Sequence, residues 1–138
     1  MDVLIDTNIA INFITKRSDP QLEAIIDVMR LCANDEVNGY LAFHSLSIIW
    51  YVLRKTSDEK RREYLKELCN ILRVTGAPHD DIVKAIEQID FKDFEDCLQD
   101  KCAINVTADY IITCNIKDFA VAETPAITPI DFLNKINQ

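Results

Sequence analysis

Five short apolar runs punctuate the sequence, at residues 3–5, 40–43, 71–74, 110–113 and 124–127. Each is too short for an ordinary helix, and each reads as a buried strand. The segments between them have helical spacing. Ile9, Ile11, Phe13 and Ile14 follow the first run, with Asp6 or Thr7 as the expected N-cap, and Leu22, Ile25, Ile26, Met29 and Cys32 follow Asp19-Pro20. Asn38-Gly39 reads as a turn before the second strand. Further helices are expected from Leu46 to about Thr56 with Ser45 as cap, up to Asn70, from His79 to Ile89, over residues 92–103 and from Pro129 to Ile136. Strands alternating with helices imply βαβ units. The expected class is α/β, with a central, mainly parallel sheet of four to five strands covered on both faces. No repeat, low-complexity segment or linker interrupts the 138 residues, so one domain over 1–138 is expected.

Composition removes several function classes. Only two glycines occur, Gly39 and Gly76, which excludes a dinucleotide-binding or Walker-type phosphate loop. The five cysteines include no C-x-x-C pair and only two histidines accompany them, so neither a disulfide framework nor a structural zinc site is expected. They read as small buried hydrophobes in a reducing compartment. No apolar run approaches the roughly 20 residues that cross a bilayer, and the opening MDVLIDTN lacks a basic n-region. A cytoplasmic protein without a membrane partner is expected. The formal net charge of -8 is unusual for a protein that holds nucleic acid by counterion release alone. It is compatible with phosphodiester chemistry if the acids surround a cation that inverts the local field.

In open α/β sheets function collects beyond the carboxyl ends of the strands. That rule selects Asp6-Thr7-Asn8, Ser45 to Ser47, and Asn115 to Asp118. Asp6 is either a carboxylate at a rigid strand tip or a plain helix cap. Asp96 lies in the acidic stretch 93–96, where Asp93 and Asp96 share a face and Glu95 points elsewhere; the competing reading is a solvated acidic face. Asp118 and Asn115 face the crevice or simply form a turn. Asp109 precedes the fourth strand and belongs to the opposite end of the sheet. Three clustered carboxylates repel one another unless a cation lies between them. Mg²⁺ and Mn²⁺ favour such oxygen ligands, and a bound ion of this kind activates water against a phosphodiester. Arg54, Lys55, Arg61 and Arg62 either contact an RNA backbone or form a solvated helix face. Trp50, Tyr51, Tyr64 and Leu65 form either a dimer patch or core.

Three stretches in this order resemble the PIN-domain family, and within it small bacterial proteins of the VapC-toxin type: Val-Leu-Ile-Asp-Thr-Asn, Asp-Phe-Glu-Asp-Cys-Leu-Gln, and Ala-Asp-Tyr-Ile-Ile-Thr-Cys-Asn-Ile-Lys-Asp-Phe. The resemblance spans nearly the whole chain. It implies a three-layer α/β/α sandwich and a metal-dependent endoribonuclease that uses Mg²⁺ or Mn²⁺. It also implies an RNA substrate, an antitoxin partner and a homodimer. The family acids carry over onto Asp6 and Asp96, and the last onto Asp118 or partly onto Asn115, with Asn8, Ser45, Ser47, Thr113 and Asn115 supporting the pocket. One departure stands out. The family's acid early in the helix after the second strand falls on Ile48, which cannot ligate a metal. The resemblance therefore also admits a catalytically degenerate PIN domain that binds RNA or a protein. A third reading makes Asp6 the nucleophile of a haloacid-dehalogenase-like phosphotransferase; that family needs a second aspartate where this chain has Asn8.

Overall fold

The computed structural model describes all residues from Met1 to Gln138. Five strands form one sheet: β1 (Asp2–Ile5), β2 (Asn38–Ala42), β3 (Arg73–Thr75), β4 (Tyr110–Ile112) and β5 (Ala126–Ile127). Their spatial order is β3-β2-β1-β4-β5, and every pairing is parallel. Seven helices cover the sheet: α1 (Thr7–Thr15), α2 (Leu22–Ala33), α3 (Phe43–Val52), α4 (Asp58–Ile71), α5 (His79–Glu87), α6 (Phe94–Asn105) and α7 (Pro129–Ile136). A 3₁₀ turn over Ile116–Phe119 follows β4.

The alternation of side chains along each strand divides the core into two layers. Val3, Ile5, Leu41 and Ile112 pack on one face with residues of α1 to α4 and Phe132 of α7. Leu4, Ala42 and Ile111 pack on the other with Ala85, Cys97, Cys102, Ala103 and Phe119. This is a three-layer α/β/α sandwich, as the resemblance implies. All three residues 3–5 are fully buried, which is why that run reads as continuously apolar.

Some local expectations shift. Gly39 lies inside β2 rather than in a turn. A Cβ there would come within 2.6 Å of both Cys32 Sγ and Leu72 Cδ2, so the residue is required by close packing against α2. The backbone turns earlier, at Asp35 with φ 60°. Helix α3 begins at Phe43, so Ser45 sits within its first turn and does not cap it. Of the cysteines, Cys32, Cys97 and Cys102 are buried as expected, Cys114 is half-buried, and Cys69 is exposed. No helix is long and apolar enough to cross a membrane.

The chain steps outward from β1 to β2 and β3, then crosses back to place β4 on the other side of β1. The topological switch point therefore lies between β1 and β4, where the crevice opens beyond their carboxyl ends. Asp6 follows β1 at that point, and its backbone N–H donates to Ile112 O at 3.0 Å, closing the β1–β4 ladder. Asp109 lies at the opposite end, its carboxylate accepting from the Asp2 backbone N–H at 2.9 Å.

Candidate active site

Asp6 occupies the N-cap position of α1, yet its side chain makes no capping hydrogen bond. It is 4% exposed, and both carboxylate oxygens are held from elsewhere. Thr113 Oγ1, just beyond β4, donates to Oδ2 at 2.7 Å, and Gln99 Nε2 on α6 donates to Oδ1 at 2.7 Å. Burial pushes the Asp6 carboxyl above the ordinary carboxylate range, and the two hydrogen bonds oppose that push.

Helix α6 supplies the other acids. Its N-cap is Asp93, whose Oδ1 accepts the Asp96 backbone N–H at 3.1 Å. Asp93 therefore serves the helix end and is not one of the three clustered carboxylates, though it acts on Asp96 through its charge. Glu95 does not point away. Asp6, Glu95 and Asp96 each offer a carboxylate oxygen, and these oxygens lie within 4.8 Å of one another. The helical turn angle explains the convergence. Glu95 and Asp96 stand about 100° apart around the axis, and Gln99, one turn on, falls between them. All three border one pocket.

Gln99 closes the second family-like stretch, where the sequence assigns it no role, and it is the hub. It is fully buried. Its Nε2 lies 3.1 and 3.0 Å from the two Glu95 oxygens as well as 2.7 Å from Asp6. Thr7 Oγ1 donates to Glu95 Oε1 at 3.1 Å, and Ser45 Oγ lies 2.7 Å from Thr7 Oγ1. A hydroxyl has one proton, so Ser45 is the donor in that pair. His44 Nε2 faces Glu95 Oε2 at 3.7 Å.

These surroundings separate the two neighbouring acids. Burial disfavours the Glu95 carboxylate, but His44, Gln99 and Thr7 outweigh it and hold the group below its ordinary range. Asp96 has burial without such donors, and the nearby carboxylates of Glu95, Asp93, Asp6 and Asp118 add to it; its pKa is pushed up to about 8. Burial works against the His44 imidazolium, yet Cys102 and Glu95 raise it to about 9.

Of the residues singled out in the sequence, Asp6, Asp96, Thr113 and Ser45 meet in this pocket. Asp118 lies outside the three-carboxylate group. It is exposed on the 3₁₀ turn, near enough to act on Asp96 through its charge. Asn115 is exposed and its backbone N–H donates to Thr113 Oγ1 at 2.9 Å. Asn8 and Ser47 are exposed, and Ser47 Oγ donates to His44 O at 3.0 Å. Ile48 is half-buried one turn beyond Ser45 on α3. Among the basic residues, Arg61 stacks on the Trp50 ring at 3.8 Å, Arg54 on Tyr51 at 4.3 Å, and Arg62 pairs with Asp58 at 3.1 Å; Lys55 is exposed. Tyr64 and Leu65 pack against the larger core layer, while Tyr51 is 63% exposed.

The architecture is similar to that of solved VapBC and VapC structures. VapBC2 from Rickettsia felis, bound to a DNA fragment from its promoter, superposes with a TM-score of 0.71 at 18% identity, over 93% of this chain and 98% of that one. VapC20 from Mycobacterium tuberculosis, a Sarcin-Ricin loop cleaving toxin, gives 0.68 at 18% identity over 92% and 99%. VapBC-1 from nontypeable Haemophilus influenzae gives 0.66 at 15% identity over 94% and 99%. At such identities the likeness is one of fold. No curated protein matches the chain. The family model of the PIN domain matches residues 2–117, a span that holds the parallel sheet from β1 to β4, Asp6, and the Glu95–Gln99 segment. The chain belongs to the PIN-domain family.

Proposed function

We propose that this protein, acting as one domain over residues 1–138, is a PIN-type endoribonuclease that depends on Mg²⁺ or Mn²⁺. The observation that carries the reading is the convergence of Asp6 and Asp96, from elements ninety residues apart in sequence, on the crevice at the β1/β4 switch point. The residues fit a hard cation. The donors around the crevice are all oxygens, and the buried Gln99 amide beside them has an Oε1 without a protein partner. Asp6 and Asp96 would hold the ion, with Asp118 at the rim adding negative charge. Bound there, it would polarise a phosphate oxygen and lower the pKa of an attacking water.

The chain's own groups do the remaining work. Thr113 and Gln99 fix the rotamer of Asp6, so the carboxylate needs no reorganisation. Ser45 and Thr7 brace the pocket from α3 and α1. Burial and the neighbouring carboxylates push the Asp96 carboxyl up to about 8 in the metal-free chain, so taking up the ion would release its proton. We assign Asn8, Ser47 and Asn115, all exposed, to the approach, as the family resemblance implies, and Arg54, Lys55, Arg61 and Arg62 to the phosphate backbone of RNA. By likeness to the VapBC structures we read the protein as toxin-like and cytoplasmic, with an antitoxin partner and a homodimeric state.

RNA cleavage by the purified chain tests this. We expect cutting with Mn²⁺ or Mg²⁺ and none with chelator. Asp6→Asn and Asp96→Asn should each slow it by roughly 10²-fold or more, since such an ion supplies several kcal/mol. Cleavage that survives both substitutions in clean preparations overturns the assignment. A second reading, a degenerate PIN domain that binds without cutting, is favoured by apolar Ile48 on α3. Metal-dependent turnover by the wild-type chain removes it, and binding of RNA without turnover establishes it.

A further inference from the structure

We infer that Glu95 is a cation ligand, the third carboxylate of the site, and that the Gln99 amide is the bridge that holds it against Asp6. The inference rests on the metal-dependent reading above and names a ligand which that reading does not use.

Glu95 contributes one of three carboxylate oxygens that lie within 4.8 Å of one another. Oxygens on opposite sides of a Mg²⁺ ion are about 4 Å apart, since each is bound at about 2.0–2.1 Å. Adjacent oxygens in the same octahedron are about 3 Å apart, so the pocket would close around the ion to bring all three into range. A carboxylate has about four acceptor sites. Hydrogen bonds from Thr7 to Oε1, and from Gln99 to Oε1 and Oε2, occupy three of them and leave one on Oε2. His44 does not fill it with a hydrogen bond, because 3.7 Å is beyond hydrogen-bond reach.

The second observation is the amide itself. Gln99 is 0% exposed and projects between Asp6 and Glu95. Its nitrogen is saturated by carboxylate oxygens, whereas its buried Oε1 has no protein partner. Buried polar atoms are almost always paired. A buried amide that donates into a carboxylate cluster while its own carbonyl oxygen has no protein partner points to a cation and its water there rather than to a structural acid pair. The side chain at position 48 is apolar, so α3 brings no charge to this pocket from there; α6 brings two, at adjacent positions.

Mn²⁺ binding by the full-length chain, followed through the electron paramagnetic resonance signal of free Mn²⁺, decides the matter without reference to activity. Glu95→Gln should raise the Mn²⁺ dissociation constant by about tenfold or more, with the metal-free protein still folded by circular dichroism. Asp6→Asn should lose binding as well. If Glu95→Gln binds within twofold of wild type while Asp6→Asn loses binding, Glu95 is not a ligand and the nuclease site stands. If Asp6→Asn also binds like wild type, the site itself is wrong and the Glu95 assignment falls with it. Should Glu95→Gln fail to fold, Glu95→Asp serves instead. It keeps the charge but shortens the reach by one methylene, and an unchanged dissociation constant there overturns the inference.

Discussion

Glu95 and Asp96 are neighbours on one helix, yet their proton affinities move in opposite directions. The cause is donors. Glu95 accepts from Thr7 and Gln99 and faces His44, while Asp96 meets mainly other carboxylates. Gln99 is the residue on which this balance turns, because one nitrogen serves both Asp6 and Glu95. Replacing it with leucine keeps the bulk and removes the donor, leaving two buried or half-buried carboxylates underbonded. Gln99→Leu should cost about 1–3 kcal/mol of unfolding free energy in urea titration. A loss under about 0.5 kcal/mol would mean that the amide is not supporting the acids.

At the scale of elements, the site depends on where α6 begins. Asp93 caps it by accepting the Asp96 backbone N–H, and so fixes the turn that carries Glu95 and Asp96. Asp93→Ala should lower stability by about 0.5–2 kcal/mol, and Asp93→Ser should retain most of it, since serine also caps well. Equal losses in the two variants, measured by chemical denaturation, would count against the capping role. Helix α1 offers the contrast. Its N-cap residue, Asp6, gives up the capping bond, and its carboxylate is turned across the switch point to Gln99 and Thr113. An aspartate at a helix start that does not cap is released for other chemistry. Position alone does not distinguish the two cases, and the sequence left both open.

For the whole molecule, the raised groups set a pH dependence. The folded-state pKa of Asp96 is about 8 against an ordinary 3.8, and that of His44 is about 9 against 6.5. Between those limits the folded chain binds more protons than the unfolded chain, so stability falls as pH rises. Their contribution is fully present at the acid end of each interval and lost as pH climbs through the folded values. Glu95 shifts the opposite way, but its interval lies below 4.5. The metal-free protein should therefore melt at a lower temperature at about pH 8.5 than at about pH 5.5. Saturating Mn²⁺ should flatten that slope, because a cation favours the deprotonated acids. A melting temperature that is level or rises with pH in the absence of metal would contradict the shifts.

The alternation of short apolar runs with helical spacing determined the α/β class, the largely parallel sheet and the end of the sheet where function gathers. Those properties follow from local periodicity and burial, which a sequence states directly. The order of motifs added the family and the positions of Asp6 and Asp96. Tertiary structure alone decided which side chains meet. Glu95 was read as pointing away, because spacing along α6 is measured around the helix axis and not from the crevice; a pocket that spans a full 100° of the helix surface takes residues 95, 96 and 99 together. Gln99 and Thr7 have no signal of their own, since an uncharged buried donor becomes informative only when its acceptors are known. Gly39, legible as a turn residue, is instead set by the approach of Cys32 on α2 and Leu72 at the end of α4. Periodicity is a property of one element, whereas a site is a property of the angles between several.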